Sequence, residues 1–218
     1  MTTPTWSSLS IDTSLALRTA ASRLAEEFIG TFGTETIERF LHSSYDQLAL
    51  HATVAKFLPL MAERFARQWL SAVAKVEGLH RDGNPTVLFL CTHNAGRSRM
   101  ALGFFEALTA DQAVAWSGGS EPGREANPAA ITAMAERGID LSNEFPKPWT
   151  DETVGAADVV ITMGCGDACP VFPGKRYESW DNLDDPAGLD TAGVRPIRDD
   201  IARRVRQLID ELGLTSTR

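Results

Sequence analysis

The amino-acid sequence predicts an α/β domain, a four-stranded parallel sheet doubly wound with helices, preceded by a small all-α domain of three helices. Residues 13–78 carry apolar side chains at spacings of three and four. The polar run Glu77-Gly-Leu-His-Arg-Asp-Gly-Asn-Pro85, with its two glycines and closing proline, interrupts that texture as a linker. Beyond it, strand-length apolar runs alternate with helical periods. The expected domains are residues 1–80 and 85–218.

In the first helix Leu17, Ala21, Leu24 and Phe28 share a face, with Asp12 or Thr13 as the cap. Ile37, Leu41, Tyr45 and Leu48 repeat the pattern after Gly33, with Thr34 and Glu35 suited to a helix start. A third helix fits Leu58 to Val76, with Leu58, Met61, Phe65, Trp69 and Val73 inward and Pro59 in the first turn. Phe40, Phe57, Leu60 and Leu70 then need cover from the rest of the chain or from a second copy.

Thr86–Leu90 is a continuous apolar run, as a strand buried on both faces requires. Further strands are predicted at Ala113–Trp116, Asp158–Met163 and Lys175–Trp180, and helices near 98–110, 128–138 and 193–213. Ligands of such sheets sit at the carboxyl ends of the strands.

The net charge of -8 argues against a nucleic-acid binder that works by neutralising phosphates. It leaves room for a small anion, because a local nest of donors overrules a distant net charge. No apolar run reaches the length of a membrane span, and Met1 to Asp12 lacks the layout of a signal peptide. A cytoplasmic location with reduced thiols is therefore expected for Cys91, Cys165 and Cys169.

The chemistry concentrates at the end of the first strand, in Cys91-Thr92-His93-Asn94-Ala95-Gly96-Arg97-Ser98. A short loop running into a helix N-terminus turns several N–H groups into one hollow, which suits a tetrahedral oxyanion. Arg97 adds a forked cation for two oxygens. Helix dipole and guanidinium together favour the thiolate of a cysteine at the floor. Ser98 can hydrogen-bond that sulfur and Asn94 can hold the loop's shape. Thr92 to Ser98 are thus the candidate substrate-binding residues. His93 either tunes the thiolate or faces solvent.

From Thr86 to the last helix these residues resemble the low-molecular-weight protein tyrosine phosphatase family. Asn127–Ser142 is similar to that family's second helix and the turn after it, and Asp185-Pro186 stands where the family keeps its general acid. The resemblance implies that Asp185 protonates a leaving oxygen, with neighbouring Asp184 as the rival. Ala187-Gly188 follows, rather than the aromatic residues that line a phosphotyrosine cleft. Trp180–Gly188 and Asp158–Pro170 are instead similar to the thioredoxin-coupled arsenate reductases.

That resemblance implies a relay through Cys91, Cys165 and Cys169, with arsenate as substrate, phosphate or sulfate as analogues, and thioredoxin or a small thiol as reductant. A phosphatase using the same Cys91, Arg97 and Asp185 is the alternative, and an oxyanion-binding or redox-sensing dimer a third. The two relay cysteines stand closer together than in the best-known reductases, and Gly96 replaces a cysteine frequent there. Some members hold a potassium ion. Asn94, Ser117 and Asp158 match its ligand positions, but Leu102 stands where an acid belongs. No other metal and no cofactor is implied, since three cysteines without a spaced fourth ligand do not make a zinc site. The front helices are similar to an extension in two-domain bacterial relatives, which implies dimerisation.

Overall fold

The structure is a computed structural model and describes residues 9–50, 55–79, 83–142, 144–164 and 171–216. The chain divides into two compact units, Met1–Arg81 and Asp82–Arg218.

In the first unit, α1 (Ile11–Glu27), α2 (Thr34–Ala49) and α3 (Leu58–Val76) pack on one another. Ser10 caps α1, accepting the Thr13 N–H at 3.2 Å, rather than Asp12 or Thr13. Leu17, Leu24, Ile37, Leu41, Phe65 and Leu70 are fully buried. The inward face of α3 departs from expectation. Ala62, Phe65, Ala66 and Leu70 are buried, while Met61, Trp69 and Val73 are only partly covered. Small residues at the contact let helices approach closely, and the bulkier ones flank it. Trp69 lies against Phe65 (5.8 Å between centroids) and Phe40 (4.8 Å), so Phe40 finds its cover inside this unit. Phe57 and Leu60 remain exposed.

Glu63 on α3 is buried beneath Arg23, to which its Oε1 is hydrogen-bonded at 3.0 Å, and Arg67, 3.0 Å away and itself paired with Glu27. Burial pushes its carboxyl up, but the bonds and charges of Arg23 and Arg67 outweigh this and hold it below its ordinary range. A carboxyl held low stabilises the fold above its unfolded pKa, about 4.3, and the contribution is lost as pH falls through the folded value. Glu63→Gln therefore costs about 1–2 kcal/mol at pH 7, because both arginines reach solvent. Thermal unfolding should show the gap between variant and parent closing below about pH 4.

The second unit comprises β1 (Thr86–Cys91), α4 (Arg97–Thr109), β2 (Val114–Gly119), α5 (Pro128–Ala135), α6 (Asp151–Ala156), β3 (Val159–Met163), β4 (Arg176–Ser179) and α7 (Thr191–Glu211). The strands form one parallel sheet in the order β2-β1-β3-β4. Every residue of β1 is buried, as the central strand of a covered sheet must be. Val87, Phe89 and Cys91 join the core built with α4, α5 and α7. By strand alternation Leu88 and Leu90 face the other side, where α6 packs on β1.

Two differences from the sequence reading bear on the site. β2 runs on to Gly119 instead of stopping at Trp116, which carries it alongside Cys91. The helix α6 was not foreseen. Its signal is the capping box at Thr150 and Thr153 with Asp151 and Glu152 in the first turn. Among the described residues, no helix is long and apolar enough to cross a membrane.

Candidate active site

Cys91 is the last residue of β1, paired with Gly119 of β2 and Met163 of β3. The residue, 3% exposed, therefore sits at the carboxyl edge of the sheet. The loop after it is clamped from outside. Glu121 donates its N–H to Thr92 O at 2.9 Å, Gly123 to His93 O at 2.8 Å and Asn127 to Ala95 O at 2.9 Å. With those carbonyls engaged, the backbone N–H groups from His93 to Ser98 have no acceptor among the described residues. A row of free donors at a helix start is an anion nest.

Two glycines let neighbours approach this loop. A Cβ on Gly119 would stand 2.7 Å from Thr92 O and 3.0 Å from Asn94 N, so β2 touches the loop only without a side chain. A Cβ on Gly96 would meet Pro186 Cγ at 2.6 Å, so Pro186 fills the space that a second loop cysteine would need.

Asn94 is buried with φ +46°, a conformation asparagine tolerates better than most residues. Its Oδ1 accepts the Lys147 N–H at 3.0 Å, which fixes its amide orientation. Its Nδ2 then donates to Ser98 Oγ at 2.8 Å. Ser98 receives that bond on a lone pair and keeps its hydroxyl proton for Cys91 Sγ, 3.0 Å away. The relay of polarity Lys147–Asn94–Ser98 thus ends in a hydroxyl aimed at the Cys91 sulfur.

Arg97 lies nearly buried beside the loop, and its Nη2 donates to Asp185 Oδ2 at 3.0 Å. Asp185, half exposed, also accepts the Ala187 N–H at 2.9 Å, and Asn127 Nδ2 donates to Pro186 O at 2.9 Å. Asp185, not Asp184, is thereby turned toward Arg97. Thr92 Oγ1 donates to Gly164 O at 2.9 Å, and the Gly164 N–H goes to Asp181 Oδ1 at 3.0 Å. Hydrogen bonds from Ser179 and Gly164 hold the Asp181 carboxyl below its usual range, with Arg97 adding to them. Asp181 had no signal in the sequence beyond being one of several acids after the last strand. His93 is exposed, its Nδ1 3.0 Å from Glu121 O. Cys165 and Cys169 lie outside the described residues.

The residues do not fit a potassium ion. Asp158 is at the opposite end of the sheet from Cys91, where its Oδ2 accepts the Thr86 N–H at 2.8 Å. Leu102 is apolar and buried and offers no oxygen to an ion. Ser117 is buried and its hydroxyl has no partner among the described residues. Nor do those residues hold any group of three His, Cys, Asp or Glu side chains able to bind a metal.

Fold and site define an α/β protein with a strand-end thiol beside a loop of unengaged N–H groups and an arginine. The family described as low molecular weight phosphotyrosine protein phosphatase matches residues 86–217, and the chain belongs to it. Residues 17–74 match the protein-tyrosine-phosphatase-like N-terminal domain. The thioredoxin-dependent arsenate reductase of Corynebacterium glutamicum is similar at 39% identity with a TM-score of 0.81, covering 92% of this chain and 98% of that one. Arsenate reductase 1 of Staphylococcus epidermidis is 39% identical over 119 residues, 53% of this chain and 89% of the relative. The arsenate reductase of Bacillus subtilis is 36% identical over 137 residues, 58% of this chain and 96% of the relative.

Proposed function

We propose that the protein reduces arsenate to arsenite with thioredoxin as the electron donor. The observation that carries this is the Cys91 thiol set between the Ser98 donor and the free N–H groups of the loop. The similarity to a thioredoxin-dependent arsenate reductase along nearly the whole chain supports the choice of substrate.

In the first step the Cys91 thiolate attacks arsenic(V), forming an S–As bond. An arsenate oxygen leaves as water after Asp185 supplies the proton. The loop N–H groups and Arg97 hold the remaining oxygens. The Cys165 thiolate then attacks Cys91 sulfur: the S–S bond forms, the S–As bond breaks, and its electron pair stays on arsenic, releasing arsenite. The two thiols supply the two electrons. Cys169 next attacks Cys165 and frees Cys91, and the Cys165–Cys169 disulfide is reduced by the thioredoxin dithiol. Thr92 and Asp181 together hold both peptide groups of Gly164, the residue just before Cys165. Residues 85–218 would form the reductase domain and residues 1–80 a dimerisation domain, in a cytoplasmic protein. Leu60 and Phe57 are exposed apolar side chains that a second copy would cover.

The test is NADPH consumption with arsenate, thioredoxin and thioredoxin reductase. Turnover is expected in the parent, a single equivalent of arsenite in Cys169→Ser, and none in Cys165→Ser, which stops at the Cys91 adduct. Aryl phosphate cleavage unaffected by Cys165→Ser, without arsenate turnover, would make the protein a phosphatase instead.

A further inference from the structure

Arg99, in the first turn of α4, is 1% exposed and among the largest fully buried side chains of the molecule. Its Nη2 donates to Leu141 O at 2.8 Å and also to Glu144 O. Its Nε and Nη1 have no hydrogen-bond partner among the described residues, and no carboxylate there lies within ion-pair distance. A buried cation without an anionic partner is costly, so its presence calls for a compensating charge nearby. Glu144 does not supply it alone, since its carboxylate is already paired with Lys147 Nζ at 3.1 Å.

The next anionic candidate is Cys91. Ser98, the residue before Arg99, has its hydroxyl 3.0 Å from the Cys91 sulfur. The carbonyls that Arg99 binds also stand just ahead of Lys147, whose N–H orients Asn94 and, through it, Ser98. The turn that Arg99 binds thus leads, through Lys147, Asn94 and Ser98, to the Cys91 sulfur. Burial lowers the Arg99 pKa to about 10, while the charges of Glu144 and Cys91 act in the opposite sense.

We propose that Arg99 is a positioning residue for the nucleophile: its buried guanidinium favours the Cys91 thiolate and anchors the turn that fixes Asn94 and Ser98. Arg97 then remains available to the oxyanion, with a second cation dedicated to the sulfur. This rests on Cys91 being the nucleophile, but not on arsenate being the substrate.

The experiment uses the full chain with Cys165→Ser and Cys169→Ser, which leaves Cys91 as its one thiol, and follows alkylation by iodoacetamide at pH 6. Glutamine keeps a donor for the carbonyls and loses the charge; lysine keeps the charge and loses the fork. Arg99→Gln should slow alkylation by about tenfold, and Arg99→Lys should restore the rate to within about twofold of the parent. Circular dichroism checks that both variants are folded. A folded Arg99→Gln that reacts at the parent rate overturns the proposal. So does Arg99→Lys reacting as slowly as Arg99→Gln, because a lost contact would then explain both. A parent that reacts no faster than glutathione would overturn the assignment of Cys91 as nucleophile, a separate outcome.

Discussion

Arg97→Lys should lower kcat/KM for arsenate by about two to three orders of magnitude, the cost of removing one well-placed oxyanion donor. Lysine keeps the positive charge, so the loss isolates the geometry of the fork. A guanidinium spans two oxygens of a tetrahedral anion in one plane, whereas an ammonium is a single point charge on a flexible stem. The position leaves little room for compensation. Arg97 is nearly buried, with one nitrogen bonded to Asp185 at 3.0 Å, and a Cβ on Gly164 would lie 3.0 Å from its Nη1. The loop N–H groups are untouched by the change, so phosphate should still bind, more weakly, as a competitive inhibitor. Steady-state kinetics with phosphate inhibition separates the two contributions. A variant that keeps its activity within a few fold would show that the N–H groups alone hold the substrate.

The reactive loop was legible because local rules and tertiary structure agree there. An uninterrupted apolar run of strand length, then a short glycine-containing loop, then a helical period predict strand, loop and helix in that order. The boundaries of β1, α3 and α4 fell within a residue of expectation for that reason. The inward face of α3 was misjudged because periodicity weighs large side chains, while close helix contacts select alanine, here Ala62 and Ala66. Six residues make fewer than two turns, too few for α6 to show a period. The site itself divides in the same way. Cys91, Ser98 and Asn94 are neighbours in sequence and were visible together. The bond from Arg97 to Asp185 spans 88 positions and depends on where β4 releases the chain. Asp158 failed as an ion ligand because strand register, invisible in one sequence, sets it at the far edge of the sheet. Arg99 reads as an ordinary surface arginine until its burial is seen.

Asp185→Asn should lower kcat for arsenate by about two to three orders of magnitude while tightening phosphate binding severalfold. The two effects have opposite signs because the structure gives this carboxylate two partners in turn. Without substrate it accepts a hydrogen bond from Arg97 at 3.0 Å, so an arriving oxyanion must compete for the guanidinium. Asparagine cannot pair as an ion, and Arg97 is freed for the anion. The same displacement sets up catalysis in the parent. A carboxyl group displaced from its arginine by an incoming anion stands beside that anion, where it can hand a proton to the leaving oxygen. Asparagine carries no such proton, so the leaving oxygen must depart unassisted. Equilibrium phosphate binding and single-turnover formation of the Cys91 adduct measure the two effects separately. Weaker phosphate binding in Asp185→Asn would mean that the carboxylate only shapes the loop, and an unchanged adduct rate would mean that the proton comes from elsewhere.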